Sequence, residues 1–224
     1  MKHDEFFTSL EKQIKEALEL WDCPSIGLGV IYNDEVLYCD GIGFRNREKE
    51  LPATGKTLYQ IGSCTKAFTS AMCAKLVDEG KLSWDTPIRD IAPEVQFFDT
   101  FTSLNVTLRD ILSHRTGVPR HEYSWYGNEF DRKQLVEHVR YLEPNQPIRT
   151  KFQYNNYGYV IAGYLIEKVT GKTYEENIEE TFFKPLGMDR STLYLDDIKN
   201  DEDHATPYGS PGESFSGLKE VPFY

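Results

Sequence analysis

The chain has 224 residues, and its hydrophobic content of 39% and aromatic content of 13% are typical of a folded globular protein and argue against disorder. Its formal net charge of -11 disfavours binding to nucleic acid or to anionic membrane surfaces, because both are polyanions. No apolar signal segment begins the chain and no stretch is long enough to cross a membrane, so we expect a cytoplasmic protein without a membrane span.

The four cysteines give no sign of a metal site. Cys23, Cys39, Cys64 and Cys73 form no Cys-x-x-Cys pair and no zinc-like array with the five histidines. We therefore expect neither a metal nor another cofactor, and free buried thiols in a reducing compartment. Cys64 and Cys73 fall on a predicted helix, where a small apolar thiol packs well.

The N-terminal region predicts a helix followed by a hairpin. Residues 5–21 have an amphipathic pattern, with an apolar face formed by Phe6, Leu10, Ile14, Ala17, Leu18 and Trp21. Residues 26–32 and 35–42 are typical of strands, and the two-residue link Asn33-Asp34 between them predicts a tight turn.

The middle of the chain predicts helices separated by loops. A helix is predicted over residues 63–79, with Gly80 as its stop signal. Thr107 and Asp110 have the spacing of a capping box for a short helix that ends at His114. We expect His114 to be a cation at that helix terminus rather than a catalytic base.

Further helices are predicted over residues 131–141 and 159–170, the second closed by Gly171. Residues 119–130 form a loop rich in tyrosine, tryptophan and charge. The tail from residue 196 onward is rich in Asp, Gly, Pro and Ser.

A Ser-x-x-Lys motif occurs three times, beginning at Ser9, Ser63 and Ser216. A serine hydroxyl is a weak nucleophile until a base takes its proton, and a lysine can be that base. Near a helix start, Ser63 and Lys66 share one face and can converge. Ser9 and its lysine belong to the polar side of the first helix. Without the other motifs, a helix N-cap would be the favoured explanation of Ser63.

Tyr154 and Asn156 add the groups that the Ser63 motif lacks. A tyrosine can relay protons, and an asparagine amide can hold a lysine and a substrate carbonyl. The pattern Tyr-x-Asn is weak alone, since Tyr126 and Asn128 also match it, and Tyr154 can also be explained as a core aromatic residue.

Three segments resemble the serine β-lactamase-related family, which comprises class C β-lactamases, D-alanyl-D-alanine carboxypeptidases, esterases and D-aminopeptidases. They are residues 59–66 (YQIGSCTK), 107–117 (TLRDILSHRTG) and 152–158 (FQYNNYG), with residues 183–188 (FKPLGM) matching as well. The resemblance implies an α/β (α+β) fold of the β-lactamase/transpeptidase type. It predicts a helical lobe and the N-terminal hairpin of an antiparallel sheet, within one domain over residues 1–224.

The resemblance also implies a serine hydrolase that acts through an acyl-enzyme on D-amino-acid peptides, β-lactams or small esters. It implies Ser63 as nucleophile, Lys66 as its partner base, Tyr154 as proton shuttle and Asn156 as a substrate-positioning residue. Whether Lys66 or Tyr154 is the general base stays open at this point. An α/β-hydrolase is disfavoured, because the sequence has no Gly-x-Ser-x-Gly.

The family pattern includes a third motif, Lys-Thr-Gly or His-x-Gly, and this sequence contains neither. Arg115-Thr116-Gly117 is the nearest match, but it precedes Tyr154 and closes a helix. We therefore expect an incomplete domain that lacks the C-terminal strands, with activity reduced by about 10²–10³ for one missing oxyanion donor. The alternative is a catalytically incomplete, penicillin-binding-like module that binds a ligand or partner. The expected partners are a small-molecule or peptide substrate, or a second copy at the unfinished sheet edge.

Overall fold

The computed structural model describes residues 3–209 and 218–223. By its internal contacts the chain divides into two compact units, one formed by residues 1–60 with 190–224 and the other by residues 61–189. One domain over residues 1–224 stays a prediction.

The first unit contains the predicted helix and hairpin. Its elements are α1 (His3–Leu20), β1 (Ser25–Tyr32), β2 (Glu35–Asn46) and the short β3 (Leu51–Pro52). The strands form an antiparallel sheet in the order β1-β2-β3. Asn33 and Asp34 have φ values of 48° and 63°, the left-handed pair that a type I′ hairpin turn needs. The predicted hairpin is confirmed, with β2 running past its predicted end.

The face by which α1 packs differs from the prediction. Phe7 is the buried residue, and its ring stacks on Tyr38 of β2 with centroids 5.0 Å apart. The Tyr38 hydroxyl donates to Glu11 Oε1 over 3.0 Å. Phe6 and Trp21, predicted in the apolar face, are 45% and 70% exposed, so the prediction is wrong for these residues. The contact face gains Phe7 and keeps three half-buried residues of the predicted face, Leu10, Ile14 and Leu18.

The C-terminal segment of this unit carries α8 (Leu195–Asn200) and the short pair β4 (Tyr208–Gly209) and β5 (Lys219–Glu220). Asp203 accepts hydrogen bonds of 2.6 Å from the hydroxyls of Thr54 and Thr57. These bonds join this segment to the residues that follow β3.

The second unit is helical. Its helices are α2 (Thr65–Asp78), α3 (Thr100–Asn105), α4 (Leu108–Leu112), α5 (Arg132–His138), α6 (Tyr157–Thr170) and α7 (Tyr174–Ile178). Helix α6 is central, since it contacts α2, α4, α5 and α7. The largest fully buried side chains on α2 and α6 are Leu76, Ile161, Leu165 and Ile166.

Most helix boundaries follow the local signals in the sequence. A 3-10 turn, Gly62–Cys64, precedes α2. The predicted capping box of α4 is confirmed: Thr107 Oγ1 accepts from the Asp110 N–H over 3.3 Å, and Asp110 Oδ2 accepts from the Thr107 N–H over 3.0 Å. A five-residue π-helical segment, Glu179–Phe183, follows α7 and was not predicted.

Gly158 brings α6 unusually close to α4. A Cβ atom added at this position would lie 2.6 Å from the Ile111 carbonyl oxygen, a distance that real Cβ atoms essentially never show. The first turn of α6 therefore lies directly against the end of α4. This contact brings residues 152–156 beside His114.

The cysteines on the predicted helix differ in environment. Cys73 is fully buried in α2, and burial raises its thiol pKa to about 12. Cys64 is exposed at the start of the helix, and Cys23 and Cys39 are exposed as well, so the prediction of buried thiols is wrong for these three. The first turn of α2 faces a cleft and not the core.

Candidate active site

Four side chains predicted from the sequence meet at the start of α2. Ser63 Oγ lies 2.6 Å from Tyr154 Oη, and Lys66 Nζ donates to Ser63 Oγ over 2.9 Å. Lys66 Nζ also donates to Asn156 Oδ1 over 2.8 Å. The structure therefore places Ser63 between a phenol and an ammonium group, within hydrogen-bonding distance of both.

The local structure explains why these side chains are available. Ser63 lies in the 3-10 turn, and neither that turn nor α2 has a side-chain cap, so the explanation of Ser63 as an N-cap is wrong. Asn156 occupies the N-cap position of α6, yet its side chain makes no capping hydrogen bond. The neighbouring Asn155 instead accepts from the Tyr157 N–H over 2.6 Å. The Asn156 amide is thereby left to hold Lys66.

The charges around Tyr154 favour its ionised form. Lys66 Nζ lies 4.9 Å from the centre of the Tyr154 ring, and the Arg120 guanidinium lies 5.1 Å from it. Burial alone would raise the pKa of Tyr154, but hydrogen bonding with Lys66 and Ser63 and the charges of Lys66 and Arg120 outweigh burial. The net effect is a lowered pKa.

Three residues at this site were missed by the sequence reasoning. Glu122 Oε1 accepts from Arg120 Nε over 2.9 Å and from Asn156 Nδ2 over 3.4 Å. Tyr159 presents its ring to Lys66, with 5.2 Å from Nζ to the ring centre. The aromatic, charged loop of residues 119–130 was the available signal for Glu122 and Arg120, although nothing in its sequence shows which charges reach Ser63.

His114 is not the helix-terminal cation that was predicted. It is buried with 8% exposure, and its Nδ1 accepts from the Asn155 N–H over 3.1 Å. Burial first, and the nearby Lys66 charge second, lower the pKa of His114 despite the opposing effect of that hydrogen bond. The position after a short helix suggested a charge, but tertiary packing places the ring beneath Tyr154.

A cleft of about 380 Å³ adjoins Ser63. Aromatic side chains dominate its walls: Trp125, Tyr157, Tyr159 and Tyr174. Tyr174 Oη is within 2.8 Å of Thr69 Oγ1, and Arg132 pairs with Glu175 over 2.7 Å and with Glu167. Trp125 Nε1 is buried and has no hydrogen-bond partner among the described residues. The cleft thus offers apolar ring faces beside Ser63.

The competing motifs lack such surroundings. Ser9 Oγ accepts from Gln13 Nε2 over 3.4 Å, and Lys12 lies 4.0 Å from Glu16 on the exposed side of α1. Ser216 lies outside the described residues. Asn128 donates to the Ser124 carbonyl within its own loop over 3.2 Å.

The Arg115-Thr116-Gly117 segment is a packed turn. Thr116 is buried, and Gly117 has a φ of 83°, which favours glycine. A Cβ atom at Gly117 would lie 2.1 Å from the Gln146 carbonyl oxygen. These constraints account for the segment as a turn.

The described part of the chain shows neither a metal-binding cluster nor a membrane-spanning helix. Within residues 3–209 and 218–223, no three His, Cys, Asp or Glu side chains come together as a metal site. In the same part of the chain, no helix combines the length and apolarity needed to cross a bilayer.

The fold and the site define a chain of the β-lactamase/transpeptidase type. Residues 10–221 match the Beta-lactamase family, and the chain belongs to that family. In structure it resembles the octameric penicillin-binding protein homologue from Pyrococcus abyssi, with a TM-score of 0.84 and 33% identity, over 97% of this chain and 50% of that one. It also resembles the D-amino acid amidase from Ochrobactrum anthropi, with a TM-score of 0.69 and 26% identity, over 83% of this chain and 51% of that one.

In sequence, the chain is 35% identical over 199 residues to the unguisins hydrolase ungD' of Aspergillus campestris, an alignment that covers 83% of this chain and 36% of that protein. The chain therefore spans about a third to a half of the length of these relatives. The family includes hydrolases, as the names of two of these relatives state.

Proposed function

We propose that this chain is a serine hydrolase of the acyl-enzyme type, with Ser63 as its nucleophile. The observation that carries the proposal is the position of Ser63 Oγ, 2.6 Å from Tyr154 Oη and 2.9 Å from Lys66 Nζ. A nucleophile within reach of its base, with that base oriented by a further group, is the arrangement that nucleophilic catalysis requires. Here the further group is the Asn156 amide, whose oxygen accepts a hydrogen bond from Lys66 Nζ and so orients Lys66.

We assign Tyr154 as the proton acceptor and Lys66 as the fixed positive charge. Lys66 Nζ donates to two oxygens and lies beside two aromatic rings, surroundings that suit an ammonium group. The lowered pKa of Tyr154 makes its phenolate more accessible as a base. The alternative, in which Lys66 is the base, predicts that Tyr154 is dispensable for acylation.

In the proposed acylation step, the Ser63 proton passes to the Tyr154 oxygen while Oγ forms a bond to the substrate carbonyl carbon. Collapse of the tetrahedral adduct breaks the bond to the leaving group, which takes the proton from Tyr154. A water molecule then attacks the Ser63 ester, releases the acid and restores the serine hydroxyl. No step in this sequence needs a metal or redox cofactor.

The substrates proposed are amides or esters, namely D-amino-acid peptides, β-lactams or small esters. The similarity to a D-amino acid amidase supports an amide bond as the target. The ring-walled cleft beside Ser63 suits an apolar or aromatic acyl group, since such walls favour apolar contacts.

The test is incubation with a fluorescent penicillin, a chromogenic ester and a fluorophosphonate, followed by intact-protein and peptide mass spectrometry. We expect a covalent adduct on Ser63 in the wild type, lost in Ser63→Ala and retained in Ser9→Ala. Turnover is measured separately by product release. Folded protein that takes no adduct from any of the three reagents would refute the proposed hydrolase.

The second candidate is a ligand-binding module that does not turn substrate over. The similarity to a penicillin-binding protein homologue, at 33% identity, supports this candidate. An adduct on Ser63 that forms but is not hydrolysed, with saturable binding of penicillin, is the result expected of this module.

We also propose that the chain self-associates. In the described residues β1 pairs on one side only, with β2, and it exposes Ile31 and Tyr32, at 70% and 66%. An unpaired apolar edge favours strand addition by another chain. The similarity to an octameric homologue supports the proposal. Light scattering coupled to gel filtration is expected to show an oligomer, and Ile31→Lys to weaken it.

A further inference from the structure

We propose that His114 is a positioning residue that holds Tyr154 in its catalytic place, and that it does so only as the neutral imidazole. The inference rests on the proposed function, in which Tyr154 accepts the Ser63 proton. His114 follows α4 with a φ of 58°, in the left-handed region. Its backbone and its side chain both reach the segment that carries Tyr154.

His114 binds the backbone on both sides of Tyr154. Its carbonyl oxygen accepts from the Gln153 N–H over 2.8 Å, and its Nδ1 accepts from the Asn155 N–H over 3.1 Å. These donors belong to the residues immediately before and after Tyr154. One residue thus holds the peptide group that follows Tyr154, through the Asn155 N–H, and the peptide group one position before the segment reaches Tyr154, through the Gln153 N–H.

The imidazole also supports the Tyr154 ring directly. The two ring centroids are 4.5 Å apart at an interplanar angle of 33°. Two further rings pack against the imidazole. Its centroid lies 5.4 Å from that of Tyr159 and 5.5 Å from that of Phe152, with which it makes an edge contact. Tyr154 therefore rests on a ring that is itself confined, and its hydroxyl stays 2.6 Å from Ser63 Oγ.

This role requires an unprotonated Nδ1. A backbone N–H can only donate, so Nδ1 must offer its lone pair and the proton of the neutral ring lies on Nε2. Protonation would set a second N–H against that of Asn155. It would also place a positive charge near Lys66, whose own charge lowers the pKa of His114. The other titratable groups that face the imidazole are Tyr154 and Tyr159.

The pH dependence has a definite sign. Burial and the Lys66 charge lower the folded pKa of His114 below the ordinary value of about 6.5. The neutral form, and with it the support of Tyr154, is complete above that ordinary value. It is lost as the pH falls through the lowered folded pKa.

The first test is ¹⁵N NMR of histidine-labelled wild-type protein, with His114→Asn used to assign the His114 signals. We expect Nδ1 to be bare and Nε2 to carry the proton at neutral pH, with ring protonation at a lower pH than in an exposed histidine. A proton on Nδ1, or a ring charged at pH 7, would overturn the inference whether or not the chain is an enzyme.

The second test compares two variants that separate the acceptor from the ring. His114→Asn keeps an oxygen near the Nδ1 position and tolerates a positive φ, whereas His114→Phe keeps a ring without an acceptor. Stopped-flow acylation by p-nitrophenyl acetate should slow about 10²-fold in His114→Phe, the cost of misplacing a catalytic group by about 1 Å. We expect the loss in the first-order constant, with half-saturation unchanged.

His114→Asn is expected to acylate faster than His114→Phe and to lose the acid-side fall due to His114. His138→Phe in α5 is the matched control, expected to match the wild type. Equal rates and equal pH profiles in the wild type and both His114 variants would show that His114 does not position Tyr154. The proposed function would be unaffected by that result. Absence of acylation in the wild type would instead count against the proposed function, and the NMR result alone would then decide the His114 interaction.

Discussion

Ser9 with Lys12 and Ser63 with Lys66 have the same residues at the same spacing, and both pairs lie on helical segments. They differ in what lies opposite them. Lys12 faces a carboxylate of its own helix, Glu16, at 4.0 Å, whereas Lys66 faces the amide of Asn156 from a distant part of the chain. A spacing therefore brings two side chains together, but the chemistry comes from the third and fourth residues that tertiary structure adds.

The sharpest way to break this comparison is to remove each serine. Ser63→Ala is expected to abolish the covalent adduct and to lower any turnover on the order of 10⁶-fold, the effect of losing a nucleophile. Ser9→Ala should leave both unchanged, because Ser9 Oγ lies on the exposed side of α1, where it accepts a hydrogen bond from Gln13 of the same helix. Adduct mass and product release measure the two variants. Similar losses in both would show that the Ser63 surroundings do not matter.

The next largest effect is expected at Tyr154, through its pH dependence. Because the pKa of Tyr154 is lowered, acylation should rise with pH and level off below the pH at which an ordinary tyrosine ionises. Tyr154→Phe should slow acylation about 10²–10⁴-fold and remove that rise. Tyr126→Phe, in the other Tyr-x-Asn pattern, is the control. A rise with pH that survives in Tyr154→Phe would assign the base to Lys66.

Replacing the lysines compares the two motifs a third time. Lys66→Met removes the charge beside Ser63 and Tyr154 while keeping most of the side-chain volume, and should slow acylation about 10²–10³-fold, as for one lost electrostatic contact. Lys12→Met should have no effect, since the Lys12–Glu16 pair is exposed. Rates are read from ester hydrolysis, with thermal unfolding to confirm that both variants fold.

The smallest effect is expected at Glu122, which contacts the neighbouring residues Arg120 and Asn156. Glu122→Gln keeps an acceptor for Asn156 but gives up its charge toward Arg120, so acylation should fall about fivefold, the worth of roughly 1 kcal/mol. Glu16→Gln, the corresponding change beside Lys12, should leave the rate as it was. A loss at Glu122 as large as that at Lys66 would make Glu122 a direct participant.

Whether a feature of the fold could be predicted from the sequence depends on how far apart along the chain its interacting residues lie. The α4 capping box and the I′ turn were predictable, because each depends on residues within four positions along the chain. The pairing of Asp110 with Arg149, over 2.7 and 2.9 Å, was not predictable, since nothing local links them. For the same reason His114 was expected as a surface cation: its sequence position is a helix end, and only packing buries it.

The residues of the candidate site also fall into two groups, those that a short motif carries and those that only the fold brings to the site. Ser63, Lys66, Tyr154 and Asn156 were found because short motifs carry them, and the structure brings all four together. Their catalytic roles stay predictions. Glu122, Arg120 and Tyr159 belong to no motif of their own, so only the fold shows that they surround the motif residues.

The close contact at Gly158 has a consequence for sequence variation. The missing side chain sets the gap between α4 and α6, and the Ile111 carbonyl that fills it is backbone, which no compensating side-chain change can trim. In a saturation library at this position, selection for the folded protein should therefore return glycine almost exclusively. At Gly163 on the same helix, the added Cβ would meet the Arg132 side chain at 3.0 Å, and small residues should survive. Two glycines of one helix thus differ in how much evolutionary freedom they leave, and the more constrained one lies directly behind the proposed catalytic segment.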